Sequence, residues 1–132
     1  MYSPQVLDHF ENPRNVGELA DADASVRVEN PVCGDIMQLS IKVEKASRES
    51  GVLNTKIIDA RFRIRGCVTS IACGSVLTEM LRGNTVAEAG KIQRQGIVDA
   101  LGGLTKETMH GSHLVMEALT AALARLTEVG AR

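Results

Sequence analysis

Three cysteines, one aspartate and two histidines are the residues of this chain whose types and positions could do chemistry. Cys33 lies in Asn30-Pro31-Val32-Cys33-Gly34-Asp35, between two strand patterns, and so belongs to a turn. Pro31 fixes the approach, and Gly34 lets the backbone fold tightly enough for Asp35 to face the same side as Cys33. A thiol and a carboxylate two residues apart on a turn can share one cation; the plainer alternative is a loop cysteine beside a turn-stabilising aspartate. Cys67 falls where the last strand pattern ends and a helix pattern begins. Free N–H groups at a helix N-terminus carry partial positive charge and favour a thiolate, which suits metal binding or acceptance of sulfur. A packed strand-end cysteine is the alternative there. Cys73 shares helical spacing with Val76, Leu77 and Met80 and reads as a small buried hydrophobe. His110 and His113 flank Gly111-Ser112 at the start of the final helix pattern, so both rings could approach one point, or each could simply bond to backbone. No CxxC, HExxH or glycine-rich phosphate loop occurs. A site here has to be assembled from three distant segments.

The elements that would position these groups follow from periodicity. Ser3 and Pro4 predict an N-cap and first helical residue, opening a short helix to about Phe10 with Val6, Leu7 and Phe10 as its apolar stripe. Asn12-Pro13 ends it. Residues 14–25 are irregular and polar. Val26 and Val28 alternate with charges, and Leu39, Ile41 and Val43 alternate with Gln38, Ser40 and Lys42. After a polar turn over 45–51, Ile58, Ala60, Phe62 and Ile64 alternate with Asp59, Arg61, Arg63 and Arg65. Each run predicts a strand with one buried face, and the arginine row is the solvated face of its strand. Past Gly66 the period becomes helical. Thr69 or Ser70 can cap a helix carrying Val76, Leu77, Met80 and Leu81, closed by Gly83. Short helices follow over about 85–91 and 96–101, then the Gly102-Gly103 break. A long helix after Ser112 carries Val115, Ala118, Leu119, Ala122 and Leu126 and stops before Gly130. Strands first and helices later predict an α+β domain: a three-stranded antiparallel sheet with helices on its apolar face.

Bulk properties exclude other classes. The 132 residues suit one domain spanning 1–132. Tyr2, Phe10 and Phe62 are the only aromatics, so the core is aliphatic and base-stacking platforms are missing; the net charge of −1 adds no polyanion-binding signal, and no nucleic acid is expected. No apolar run approaches the roughly 20 residues of a membrane helix, so no membrane is expected. Three cysteines without an export signal predict reduced thiols in the cytoplasm.

The order of several blocks adds a resemblance. Asp8-His9-Phe10-Glu11-Asn12-Pro13-Arg14-Asn15-Val16-Gly17 resembles the N-terminal signature of IscU/NifU-type iron–sulfur cluster assembly scaffolds, and Pro31-Val32-Cys33-Gly34-Asp35, Asp59-Ala60-Arg61-Phe62 and Arg65-Gly66-Cys67 resemble that family's later blocks. The resemblance implies a scaffold or carrier rather than an enzyme. In such proteins a cysteine desulfurase delivers sulfur, iron joins it, and a transient [2Fe–2S] cluster passes to apo iron–sulfur acceptor proteins. By position it implies that Cys33, Asp35, Cys67 and His110 hold the cluster or metal. Two departures stand out. Gly111 occupies the place of the family's third cysteine, which removes a ligand and a nucleophile. Leu104-Thr105-Lys106-Glu107-Thr108 lacks the Leu-Pro-Pro-Val-Lys segment that the family's dedicated Hsp70-type chaperone recognises. The departures admit two alternatives: a Zn2+-bound, SufU-like sulfur-transfer protein, or a non-catalytic adaptor that binds a desulfurase.

Overall fold

The computed structural model describes residues 2–31, 34–44 and 51–130, with side chains through residue 128. Cys33, and the polar turn expected at 45–50, lie outside the described residues. Helix α1 spans Pro4–Glu11 and is opened as expected, with the Val6 N–H donating to Ser3 Oγ. Strands β1 (Ala24–Glu29), β2 (Ile36–Val43) and β3 (Ile57–Arg65) follow, with a 3-10 turn at Val52–Asn54 before β3. Helices α2 (Val68–Leu81), α3 (Val86–Ala89), α4 (Arg94–Ala100) and α5 (His110–Gly130) complete the chain, with a second 3-10 turn at Lys106–Thr108 before α5.

The strands form an antiparallel meander in the order β1-β2-β3. Met37, Leu39 and Ile41 of β2 and Ala60 and Phe62 of β3 turn to one face and are fully buried, while Arg63 and Arg65 face solvent. Alternation along the strands thus does what a period of two requires. One expectation fails. Ile58 is 47% exposed and its neighbour Ile57 is buried. The register explains the exchange: Lys42 pairs with Asp59 but Val43 pairs with Ile57, so a bulge skips Ile58 and turns it outward.

Helices α2 and α5 cover the buried face; α2 packs on β3, α1 and α5, and α5 on β1 and β2. Because it has neighbours on several sides, α2 is buried nearly all round instead of along one stripe, and its buried set includes Ser70, Ser75 and Thr78. These hydroxyls have partners. Ser75 Oγ lies 2.8 Å from His9 Nδ1 and accepts from the Arg14 N–H at 2.9 Å, and Thr78 Oγ1 accepts from Asn15 Nδ2. They tie α1 and the segment after it to α2. The expected α1 stripe is narrower than its sequence suggests: Val6 is buried, whereas Leu7 and Phe10 stay 40% and 37% exposed. Gly74 lets α2 approach the sheet, since a Cβ there would lie 2.7 Å from the Phe62 ring.

Candidate metal centre

The end of β3, the start of α2 and the start of α5 meet at one end of the sheet. Cys67 is the N-cap of α2, in place of the Thr69 or Ser70 expected: its backbone is extended and its sulfur accepts from the Ser70 N–H at 3.4 Å. That N–H is one of the orphan donors of a helix start, and the sulfur satisfies it. Asp35 sits just before β2, in the turn from β1 that is closed by Asn30 N–H to Asp35 O at 2.8 Å. Its carboxylate lies over Gly66, where a Cβ would stand 2.6 Å from Asp35 Cγ. Only glycine at 66 leaves that space. Asp35 is 8% exposed, and its Oδ2 accepts from Ser70 Oγ at 2.7 Å and, at 3.5 Å, from the Cys67 N–H.

His110 is the first residue of α5 and not a residue of the loop before it; the helix begins three residues earlier than its apolar spacing indicates, because His110 and Gly111 already pack on α2. Its Nδ1 lies 3.0 Å from the Glu107 carbonyl. A carbonyl only accepts, so the proton is on Nδ1, and in the neutral ring Nε2 presents a lone pair. Nε2 stands 3.2 Å from Cys67 Sγ and 3.7 Å from Asp35 Oδ2. One ligand atom from each of Asp35, Cys67 and His110 falls within 4.8 Å of the others. Three of the four residues singled out in the sequence are therefore together; Cys33 lies outside the described residues. His113 is exposed and is not part of the cluster. Cys73 is fully buried in the core, and burial pushes its thiol up to about 12, with Cys67 adding to the same direction.

Two residues matter more than their sequence context suggested. Ser70, considered only as a cap, is a fully buried hydroxyl between Asp35 and Cys67, 3.3 Å from the sulfur. Gly111 packs directly on it: a Cβ at 111 would lie 2.9 Å from Ser70 Cα and 3.0 Å from Ser70 N. No sequence period marks either contact, because Asp35 and Gly111 both lie far from Ser70 along the chain.

The donors are a soft thiolate, a borderline imidazole and a hard carboxylate, a mixture that fits iron or zinc and suits neither calcium nor magnesium. The structure thus combines a three-stranded antiparallel sheet, helices packed on one face, and a corner that gathers a cysteine, a histidine and an aspartate. The chain belongs to the NifU-like N terminal domain family, whose pattern matches residues 1–130. It is 47% identical over 123 residues to iron–sulfur cluster assembly scaffold protein IscU 1 of Archaeoglobus fulgidus, covering 93% of this chain and 74% of that protein. To the iron–sulfur cluster assembly scaffold protein IscU of Haemophilus influenzae it is 41% identical over 126 residues, covering 93% of each. A solved structure named as an iron–sulfur cluster assembly scaffold protein for the SUF system, from Fervidobacterium islandicum, shares the fold with a TM-score of 0.59 at 20% identity, covering 97% of this chain and 94% of that one.

Proposed function

We propose that this protein is an iron–sulfur cluster assembly scaffold whose cargo is held by Cys67, His110 and Asp35, with Cys33 as a second thiolate. The observation that carries the reading is the His110 ring. Its Nδ1–H is committed to the Glu107 carbonyl, which aims an Nε2 lone pair at the corner containing Cys67 Sγ. Fixing one ring nitrogen on a backbone carbonyl so that the other can bind metal is the usual outer arrangement of a ligating histidine. Without cargo, the Cys67 S–H can donate to Nε2 across 3.2 Å; a metal ion would take the place of that proton. The names of the relatives support the same reading, with iron and sulfide as substrates and a [2Fe–2S] cluster as the transient product. A cysteine desulfurase would supply the sulfur, and apo iron–sulfur proteins would receive the cluster.

A zinc-bound, SufU-like sulfur-transfer role is the second reading. It is favoured by Gly111: with glycine there, no thiol side chain reaches the corner from α5, and two thiolates, one imidazole and one carboxylate make a tetrahedral zinc set. Anaerobic purification followed by metal analysis and a visible spectrum separates the two. Iron with sulfide-to-iron absorption is expected. Colourless protein with one zinc would replace the first reading by the second, and metal-free protein after incubation with either metal would overturn both.

A further inference from the structure

Ser70 takes no part in the donor set, yet both hydrogen-bond contacts of its hydroxyl run to that set. The Oγ–H has one proton. Asp35 Oδ2, a carboxylate oxygen, can only accept, and at 2.7 Å it is the nearest partner, so the proton goes there. The lone pairs of Oγ then face Cys67 Sγ at 3.3 Å, while the Ser70 N–H donates to the same sulfur. The residue is fully buried, and Gly111 closes over it without a side chain. The hydroxyl's other hydrogen-bond neighbour, Cys67 Sγ, is the more distant of the two.

We propose that Ser70 is the positioning residue of this site: its buried hydroxyl ties Asp35 Oδ2 beside Cys67 and His110, and so holds the carboxylate where it takes the metal. The inference rests on the metal-binding reading above and deepens it. Bare Gly66 beneath the carboxylate and bare Gly111 over the serine serve one arrangement: the first makes space for Asp35, the second brings α5 against Ser70 closely enough for His110 to reach Cys67. Ser70 acts on the metal only through Asp35. Its effect must therefore vanish when Asp35 is gone.

The test is a double-mutant cycle with Co(II) as probe, because its d–d and sulfur-to-metal bands report ligand number and type. Ser70→Ala removes one oxygen from a helix position that alanine suits. Co(II) binding by Ser70→Ala is expected to weaken about tenfold, the lower end of what loss of an outer partner costs a metal site. The sulfur-to-cobalt band should persist while the d–d bands shift, since the thiolate stays and the carboxylate is displaced. In an Asp35→Ala background, Ser70→Ala is expected to change neither affinity nor spectrum. Parent-like Co(II) binding by Ser70→Ala, or an undiminished effect of Ser70→Ala in the Asp35→Ala protein, would overturn the proposal. If the parent itself binds no Co(II), the metal-binding reading falls, which is a distinguishable result. A second measurement needs no variant at residue 70. The shielded Ser70 hydroxyl proton should be resolved by NMR in the parent and lost to fast exchange in Asp35→Ala; a proton unaffected by Asp35→Ala would equally sink the assignment.

Discussion

At the scale of single residues, Cys67 and Cys73 have the same functional group and opposite fates. Cys67 sits at a helix N-terminus with an N–H on its sulfur; Cys73 is shut in the aliphatic core, with its thiol pushed up to about 12. Alkylation of the folded protein at pH 8 should therefore label Cys67 and leave Cys73 untouched, as peptide mapping by mass spectrometry would reveal. The same burial has a sign in alkali. Cys73 stays protonated in the folded state through a range where the unfolded chain loses its proton, so stability falls as pH rises from about 9 toward 12. Cys67→Ala should abolish retention of metal through purification, measured by elemental analysis, because it removes both the N-cap acceptor and the soft donor. Metal content equal to the parent's would show that the corner around Cys67 is not where the metal sits.

At the scale of elements, two joints decide the geometry. The joint between α2 and α5 depends on Gly111. Gly111→Ala or Gly111→Cys forces a Cβ to within 2.9 Å of Ser70 Cα, so α5 must shift away. Overpacking of this kind costs about 1–3 kcal/mol. The expected drop in melting temperature is roughly 5–10 °C, read by thermal unfolding. Restoring a thiol at 111 thus carries a structural cost that the sequence did not disclose, and a parent-like melting temperature for Gly111→Cys would contradict the packing described.

The joint between α1 and α2 depends on His9, whose Nδ1 meets Ser75 Oγ and whose Nε2 stands 3.7 Å from Glu79. Burial holds the ring below the usual histidine range, Arg14 pushes the same way, and Glu79 and Asp8 oppose them. A lowered value means that the unfolded chain binds the proton more readily. The His9 contribution is complete above about pH 6.5 and is lost as pH falls from there through the folded value. His9→Gln should flatten the dependence of melting temperature on pH between 7 and 5; an unchanged slope would place the acid sensitivity elsewhere.

At the scale of the whole molecule, the order of strands and helices, the antiparallel meander and the aliphatic core were legible because period-two and period-3.6 patterns follow from geometry alone. What escaped was set by tertiary contact. The outward turn of Ile58 comes from a bulge in pairing with β2, the all-round burial of α2 from its several neighbours, and the open flank of α1 from the burial of Val6 alone among its residues. Among the site residues, Asp35, Cys67 and His110 could be nominated because their chemistry shows in one letter each. The packing roles of Ser70, Gly66 and Gly111 could not. A buried hydroxyl and two missing side chains acquire meaning only when distant backbones are brought together.

The three candidate ligand residues, Asp35, Cys67 and His110, are spaced 32 and 43 residues apart along the chain. An ion held among them would act as a removable rivet, joining three distant stretches and stabilising the folded chain because it binds that state and not the unfolded one. Saturating Zn2+ at about a hundred times its dissociation constant should then raise stability by about 2.7 kcal/mol, and chelation should reverse the rise. Handing over the cargo would pull that rivet, so the emptied protein should breathe most at this corner and least where the Phe62 ring lies against Gly74.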